Sequence, residues 1–106
     1  MLHRILLAKL HANSPPEKVE ELMIESRIRL LKIPEALNLR CGKSLEEKDA
    51  AYDFFLSIET ENSSKMRIIE ESAIYLKFQH QVLEKLAAKI SQMDFEMEPG
   101  KDVRFS

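Results

Sequence analysis

The chain has 106 residues, 32% of them charged, and its 16 basic and 18 acidic residues leave a formal net charge of -2. A chain of this length forms one domain with one core, because folding buries roughly 65% of the surface that the unfolded chain exposes. The nearly balanced charge gives no sign of the basic face that nucleic acid or an acidic membrane surface would need, so neither is predicted as a partner.

The longest apolar runs, such as residues 5–8, are far too short to span a bilayer. The first apolar stretch begins at once and is interrupted by Lys9, a pattern that differs from that of a signal peptide. The single cysteine, Cys41, cannot form an internal disulfide, so nothing ties the fold to an oxidising compartment. These features predict a cytoplasmic protein.

Residues 2–10 predict the first strand, in which both faces are apolar near the middle. This pattern is typical of a central strand that is covered on both sides. A helix is expected to follow, because Ser14 can cap it, Pro15 suits its first turn and Glu17 completes a capping box. The helix should end near Pro34, since a proline disfavours helical conformation in the residue before it.

Two more strands are predicted in the middle of the chain. Residues 36–41 alternate between apolar and polar side chains and precede Gly42, which indicates a half-exposed strand that closes at the glycine. Residues 43–49 form a charged loop, and residues 51–60 predict a second well-covered strand. The polar residues 62–64 supply caps for the next helix.

Residues 66–90 predict one helix, or two helices in tandem, with a stripe of side chains that recurs at steps of three and four. The predicted core-facing stripe comprises Met66, Ile69, Ala73, Leu76, His80, Leu83, Ala87 and Ile90. A coiled-coil seam is the alternative interpretation, but its small and polar members and its length of about three and a half heptads favour a helix that covers its own sheet. Substitution of Leu76 by Asp distinguishes the two, because it should unfold a core helix and leave a docking helix folded.

Residues 93–97 alternate apolar and acidic side chains and predict an edge strand that completes a domain over residues 1–97. Residues 98–106 form a tail that carries Val103 and Phe105. The order strand, helix, strand, strand, helix, strand predicts an α+β fold of the ferredoxin-like type, βαββαβ, with a four-stranded antiparallel sheet and both helices on one face.

The other face of this sheet would carry Ile5, Leu7 and Phe55 in its central strands. An apolar sheet face of this size normally marks an interface. We therefore expect a homodimer in which two sheets pack face to face, with an interface formed by these three residues and by Val103 and Phe105 of the tail.

Several short features of the sequence, in their order along the chain, resemble the stress-responsive A/B barrel domain family. They are the first strand LHRILLAKL, Ile33-Pro34 at the end of the first helix, Gly42 after the second strand, Tyr52-Asp53 before the third, His80, and Asp94-Phe95-Glu96 in the last strand. The resemblance covers about residues 1–97 and implies a dimeric α/β barrel. It implies little about activity, because this barrel carries unrelated functions.

The resemblance also implies where chemistry would lie in this chain. A plant member of the family closes a polyketide ring by an aldol reaction and is similar in using a histidine at the place of His80. The tyrosine that accompanies it there falls at Ile74 of this chain, and the histidines of the first and third strands fall at Arg4 and Phe54. A proline common in the family falls at Phe78. Most of the polar pocket of that enzyme is therefore replaced here, which argues against that reaction.

Three functions remain open from the sequence. The leading interpretation is a protein without assigned catalysis that binds a small, mainly apolar ligand beside His80, in a pocket lined by Arg4, Phe54, Ile74, Tyr75 and Phe78. The second is a cofactor-independent lyase, cyclase or isomerase with His80 as general base and Arg4 or Tyr75 as support. The third is a purely structural or assembly role, in which the tail adds onto a partner subunit.

Arg4 and His80 each have a structural alternative. A histidine on an apolar stripe is often a core residue with a hydrogen-bonded ring nitrogen, and an arginine at a strand end can reach water along its own stem. If Arg4 instead faces the helices, it is a partly buried cation that needs a partner and could hold an anionic or carbonyl-bearing ligand. Neither a metal nor a cofactor is predicted, because the histidines and Cys41 lack zinc-site spacing and the chain has no glycine-rich phosphate loop.

Overall fold

The computed structural model describes residues 1–46 and 49–98 as a four-stranded antiparallel sheet with its helices on one face. In chain order the elements are β1 (Leu2–Leu10), α1 (Glu17–Leu30), β2 (Asn38–Lys43), β3 (Phe54–Thr60), α2 (Ser63–Glu71), α3 (Ala73–Phe78), a π-helical turn (Gln79–Leu83), α4 (Glu84–Leu86) and β4 (Ala87–Glu96). The strand order is β2-β3-β1-β4, so β1 and β3 are central. The predicted ferredoxin-like α+β fold is confirmed. Val103 and Phe105 of the predicted tail lie outside the described residues.

The register of the strands assigns alternate residues to opposite faces of the sheet. Leu6 pairs with Leu56 of β3, and the next residue, Leu7, pairs with Phe55. From residue 4 onward, the even-numbered residues of β1 face the helices and are buried in the core: Arg4, Leu6, Ala8 and Leu10. The odd-numbered residues between them are only partly buried, because the described helices pack on the other side. We call that other side the open face of the sheet.

The first helix begins later than the predicted capping box would place it. Its first residue is Glu17, and Pro16 occupies the N-cap position without a side-chain hydrogen bond. The Ser14 hydroxyl instead donates to the carbonyl oxygen of His11 at 2.7 Å. A cap at Ser14 would need N–H donors two or three residues later, and Pro16 has no N–H to offer. The predicted cap is therefore wrong.

The second and fourth strands begin and end at other residues than the sequence pattern indicated. β2 continues through Gly42 to Lys43, so the prediction that it closes at the glycine is wrong. Gly42 lies opposite Phe55 and does not have a positive φ, so it continues the strand as any residue could. β4 begins at Ala87 and pairs with β1 along its length, which means that the last part of the predicted helical stripe is a strand.

Ser72 interrupts the predicted helix near its middle. Its ψ of 144° is extended, and its hydroxyl donates to the Ile69 carbonyl oxygen at 2.7 Å while accepting from the Tyr75 N–H at 3.2 Å. One side chain thus supplies a hydrogen-bond donor to a carbonyl oxygen at the end of α2 and an acceptor to an N–H group at the start of α3. Asn62 caps α2 in the same manner by accepting from the Lys65 N–H at 2.9 Å, which confirms one predicted cap.

The break at Ser72 changes which side of the helix faces the sheet. Before it, Met66 and Ile69 of the predicted stripe are buried. After it the buried residues are Tyr75, Phe78 and Val82, together with Leu83 and Ala87 of the predicted stripe. The other predicted members after the break are exposed: Ala73, Leu76, His80 and Ile90. The prediction that a single stripe runs from residue 66 to 90 is therefore wrong, although two helical pieces in tandem were one of its two forms.

Substitutions of Leu76 and Phe78 test directly which side of the helix is buried after Ser72. We expect Leu76→Asp to cost within about 1 kcal/mol of unfolding free energy, because a half-exposed position loses little packing. Phe78→Ala should cost roughly 3–5 kcal/mol, because Phe78 is fully buried and its removal leaves a cavity. Urea unfolding followed by circular dichroism measures both. A larger loss for Leu76→Asp than for Phe78→Ala would contradict the assignment.

Candidate functional site

The most unusual side chain of the core is the guanidinium of Arg4. Strand β1 places it on the helix side, between Ile58 of β3 and Asp94 of β4, which are its cross-strand neighbours. Its side chain is only 4% exposed, so the alternative that Arg4 reaches water along its stem is wrong. A cation this far from water needs partners within the protein.

Two carboxylates supply those partners from two different elements. The Arg4 Nε and Nη2 atoms donate to the two oxygens of Asp94 at 2.8 and 2.9 Å, a two-point contact between planar groups. Nη2 also donates to Oε1 of Glu70, which lies at the end of α2. The carboxylates are 40% and 41% exposed, so they line the boundary between the core and water. We call Arg4, Glu70, Asp94 and the adjacent Tyr75 the Arg4 cluster.

The charges of the Arg4 cluster stabilise one another. Burial opposes the charge of Arg4, but the hydrogen bonds that Arg4 donates to Asp94 and Glu70 outweigh it and raise the arginine pKa above its ordinary value. The hydrogen bond from Arg4 lowers the pKa of Asp94. Burial raises the pKa of the Tyr75 phenol, so this hydroxyl stays neutral. One cation and two anions leave the cluster with an excess of negative charge, which does not favour an anionic ligand.

The structure separates His80 from the Arg4 cluster. The His80 side chain is 61% exposed on the π-helical turn, and its Nδ1 lies 3.0 Å from Oε2 of Glu84. The prediction that His80 lies on the core-facing stripe is therefore wrong, and the cause is the helix break at Ser72. Of the residues predicted to lie beside it, Arg4 and Tyr75 are together in the core instead.

The remaining predicted pocket residues differ from the exposed His80 in their burial. Phe54 and Phe78 are fully buried and belong to the same core cluster between sheet and helices. Ile74 is only partly buried and lies at the surface between α1 and α3. A ligand pocket bounded by all of these residues stays a prediction, and the two aromatic rings occupy core space in which its interior was expected.

Three carboxylates that contact these side chains were missed by the sequence reasoning. Glu84 was detectable, because a glutamate four residues after a histidine lies on the same helix face. Asp94 was recognised only as part of a family pattern, since its pairing with Arg4 depends on the register of two strands 90 residues apart. Glu70 required both the end of α2 and its position over β1, which no local pattern shows.

A separate cleft lies where the end of β1 meets the start of α1. It encloses about 610 Å³, and its cations are already paired. The Lys9 Nζ lies 3.5 Å from Oδ1 of Asp53, and the Lys43 Nζ lies 2.6 Å from Oε1 of Glu20.

Within residues 1–46 and 49–98, no group of three histidine, cysteine, aspartate or glutamate side chains is placed to hold a metal ion. Nor does any helix of these ranges have the length and apolar character that crossing a membrane requires.

The open face brings the predicted interface residues of the sheet together. Ile5 and Leu7 of β1 and Phe55 of β3 share this face, as their register shows. β4 extends the same surface, because Met93 lies opposite Ile5, and Phe95 follows two residues later. The resulting apolar patch crosses three adjacent strands, and the residues of β4 in it were not predicted.

Comparison with known families and structures agrees with this architecture. The family model described as stress responsive A/B barrel domain matches residues 2–97 of the chain. No curated protein matches the chain. Among solved structures, a protein from Arabidopsis thaliana, At3g17210, has a TM-score of 0.79 at 16% identity, and the match covers 95% of this chain and 99% of that one.

Two further structures show the range of proteins with this fold. A dimeric ferredoxin-like protein of unknown function from Thermobifida fusca has a TM-score of 0.79 at 18% identity, over 91% of this chain and 90% of its own. A hydroxynitrile lyase from Passiflora edulis has a TM-score of 0.78 at 10% identity, over 94% of this chain and 95% of its own. At these identities the likeness concerns the fold, which both proteins share with this chain.

The Arg4 cluster predicts that replacing its cation and replacing its anions cost different amounts of unfolding free energy. Replacing both carboxylates, by Glu70→Gln and Asp94→Asn, should cost roughly 3–5 kcal/mol of unfolding free energy, because a buried guanidinium loses its ionic partners. Arg4→Met should cost less, because the two half-exposed carboxylates can return to water and an apolar side chain can fill the space. Urea unfolding of the three proteins tests this order, and the reverse order would contradict it.

The cluster also predicts a loss of stability in acid. Because Arg4 lowers the pKa of Asp94 in the folded state, this pair stabilises the fold fully above the ordinary carboxyl pKa of about 3.9 and loses its effect as pH falls through the lower folded value. The unfolding free energy of the wild type should therefore fall more steeply between about pH 5 and pH 2 than that of Arg4→Met. Parallel profiles for the two proteins would show that the pair does not link folding to pH.

Proposed function

The chain belongs to the stress responsive A/B barrel domain family, and from that premise we propose that it is a homodimeric barrel module without catalysis of its own, in which two sheets pack through their open faces. The observation that carries this proposal is the apolar patch on the open face. Assembly is thus the function that its geometry supports best, while a small ligand beside His80 stays a prediction. A cytoplasmic location also stays a prediction, resting on the single cysteine.

The composition of the open face resembles that of a protein interface. Its centre is apolar and includes Ile5, Leu7 and Met93 on neighbouring strands. Its borders are polar, with a His3–Glu59 pair at 3.5 Å at one end and Lys9 at the other. An apolar centre with a polar rim is the usual arrangement where two proteins meet.

The exposure of the open face fits a face-to-face dimer better than it fits an isolated subunit. A four-stranded sheet with helices on one side leaves half of its surface in water, and contiguous apolar patches of this kind are uncommon on monomers. A second copy would cover Phe55 and Phe95, which are each more than a third exposed. The structural neighbour from Thermobifida fusca is described as dimeric, which supports the same arrangement here.

The interior gives little support to catalysis. Phe54 and Phe78 fill the space between sheet and helices, and Arg4 is already bound by Glu70 and Asp94. A reacting group needs an accessible site from which water can be excluded. The His80 side chain is 61% exposed, so the described residues around it leave it open to water.

One observation favours the catalytic alternative and defines its test. His80 has an orienting carboxylate, Glu84, which leaves Nε2 of the imidazole directed away from that contact, as a general base requires. The related fold of the Passiflora edulis enzyme suggests hydroxynitriles as the substrate class to try.

The dimer proposal predicts the effect of a charge on the open face. Leu7→Asp and Met93→Asp should each convert a particle of twice 12.3 kDa into one of 12.3 kDa, because a desolvated carboxylate in an apolar interface is unfavourable. Light scattering coupled to size exclusion measures the mass, and circular dichroism verifies that each variant is folded. Met93 lies on an edge strand, so its replacement disturbs the subunit core least.

A matched control lies on the other side of the molecule. Ile28 of α1 is 56% exposed, so Ile28→Asp adds the same charge to an apolar surface residue outside the proposed interface. This variant should keep the mass of the wild type. A monomeric wild type, or folded dimers for both open-face variants, would overturn the proposal.

The catalytic alternative predicts a different outcome. If the module has no activity of its own, a hydroxynitrile incubated with the protein should release cyanide no faster than in buffer, and His80→Gln should change nothing. Cyanide is measured colorimetrically, with heat-denatured protein as the control. Release that the wild type accelerates and His80→Gln abolishes would establish the His80–Glu84 pair as a catalytic dyad.

A further inference from the structure

The groove between α1 and α3 carries a combination of side chains that dimer formation does not use. It encloses about 330 Å³ and lies on the helix side, opposite the open face. It is lined by Glu25, Ile28, Arg29, Lys32, Ile74 and Lys77. Two apolar side chains, one from each helix, therefore lie among four charged ones.

The charge of the groove is opposite in sign to that of the whole chain. Arg29 is already paired with Glu25 at 2.8 Å. Lys32 and Lys77 have no ionic partner among the residues that the structure describes. The groove thus has an excess of two positive charges in a chain whose formal net charge is -2. These two ammonium groups are free to bind an anion from outside.

The larger cleft near the start of α1 lacks this property. Its Lys9 and Lys43 are bound by Asp53 and Glu20, and further acidic residues line it. An added anion would have to displace those carboxylates. The α1–α3 groove is smaller, but its cations need no such exchange.

We propose that the α1–α3 groove binds a small amphipathic carboxylate, whose hydrocarbon chain packs on Ile28 and Ile74 and whose head group lies between Lys32 and Lys77. The apolar part would bury surface that water now contacts, and the two lysines would supply charge-assisted hydrogen bonds to the carboxylate. The site does not depend on the dimer, because the two surfaces lie on opposite sides of the sheet.

The dimensions of the groove favour a small ligand over a peptide helix. α3 has six residues, which corresponds to a length of about 9 Å. A docked helix would extend beyond α3 after less than two turns and lose its apolar contacts. A cavity of about 330 Å³ lies at the lower end of the range that small-molecule sites occupy.

The test uses sodium decanoate below its micelle concentration with the full chain. Methyl NMR should show saturable shifts of the δ1 methyl groups of Ile28 and Ile74. Acetate, which has the head group alone, and decyltrimethylammonium, which has the chain with a positive head group, should both fail to produce them. The double variant Lys32→Glu/Lys77→Glu should weaken decanoate binding roughly tenfold or more, because two attractive pairs become repulsive.

The matched control is Lys85→Glu, which reverses the charge of an exposed lysine on α4 outside the groove and should leave decanoate affinity unchanged. Ile74→Ala should weaken binding without a change in its dependence on salt, because it removes only apolar contact. Decyltrimethylammonium that binds as tightly as decanoate, decanoate that shifts Ile5 on the open face instead, or an unchanged affinity in the double variant would each overturn the proposal.

Discussion

The buried guanidinium of Arg4 connects three elements of the fold by ionic hydrogen bonds, in addition to the backbone pairing of β1 with β4 and the packing of α2. It extends from the central strand β1 and binds Asp94 on the edge strand β4 and Glu70 at the end of α2. A cation with 4% of its side chain exposed is tolerable only while such partners stay in place. The positions of β4 and α2 relative to β1 are therefore coupled by charge as well as by shape.

This coupling reaches the open face through the alternation of β4. Asp94 lies between Met93 and Phe95, so the carboxylate that faces Arg4 directs its two neighbours to the other side of the sheet. A slip of β4 by one residue would remove Asp94 from Arg4 and turn both apolar side chains away from the open face. One salt bridge in the core thus helps to define the surface through which we propose that two subunits meet.

The sequence predicted the parts of this arrangement that depend on local alternation. The central strands β1 and β3, the two faces of β1 and the uncovered apolar side chains of these strands follow from a period of two, which the folded sheet preserves. The helical stripe failed because Ser72 acts as a cap, and a serine inside a periodic pattern is easily taken for a surface residue. The partners of Arg4 could not be derived, because Asp94 and Glu70 reach it only through long-range strand register and helix placement.

Residue 4 also shows why the family resemblance predicts the fold of this chain better than its chemistry, because an arginine stands where the resemblance implies a histidine. A neutral imidazole at this position can remain in a pocket with one ring nitrogen free for a substrate. A guanidinium is permanently charged, so a buried one needs carboxylate partners. Those carboxylates occupy polar space that a substrate would otherwise use. Phe54 and Phe78 are fully buried in the core, whereas the His80 side chain is 61% exposed on the helix side of the sheet. The pairing of Arg4 with Glu70 and Asp94 satisfies the charge inside the core, and the apolar open face is the surface through which we propose that a second subunit binds.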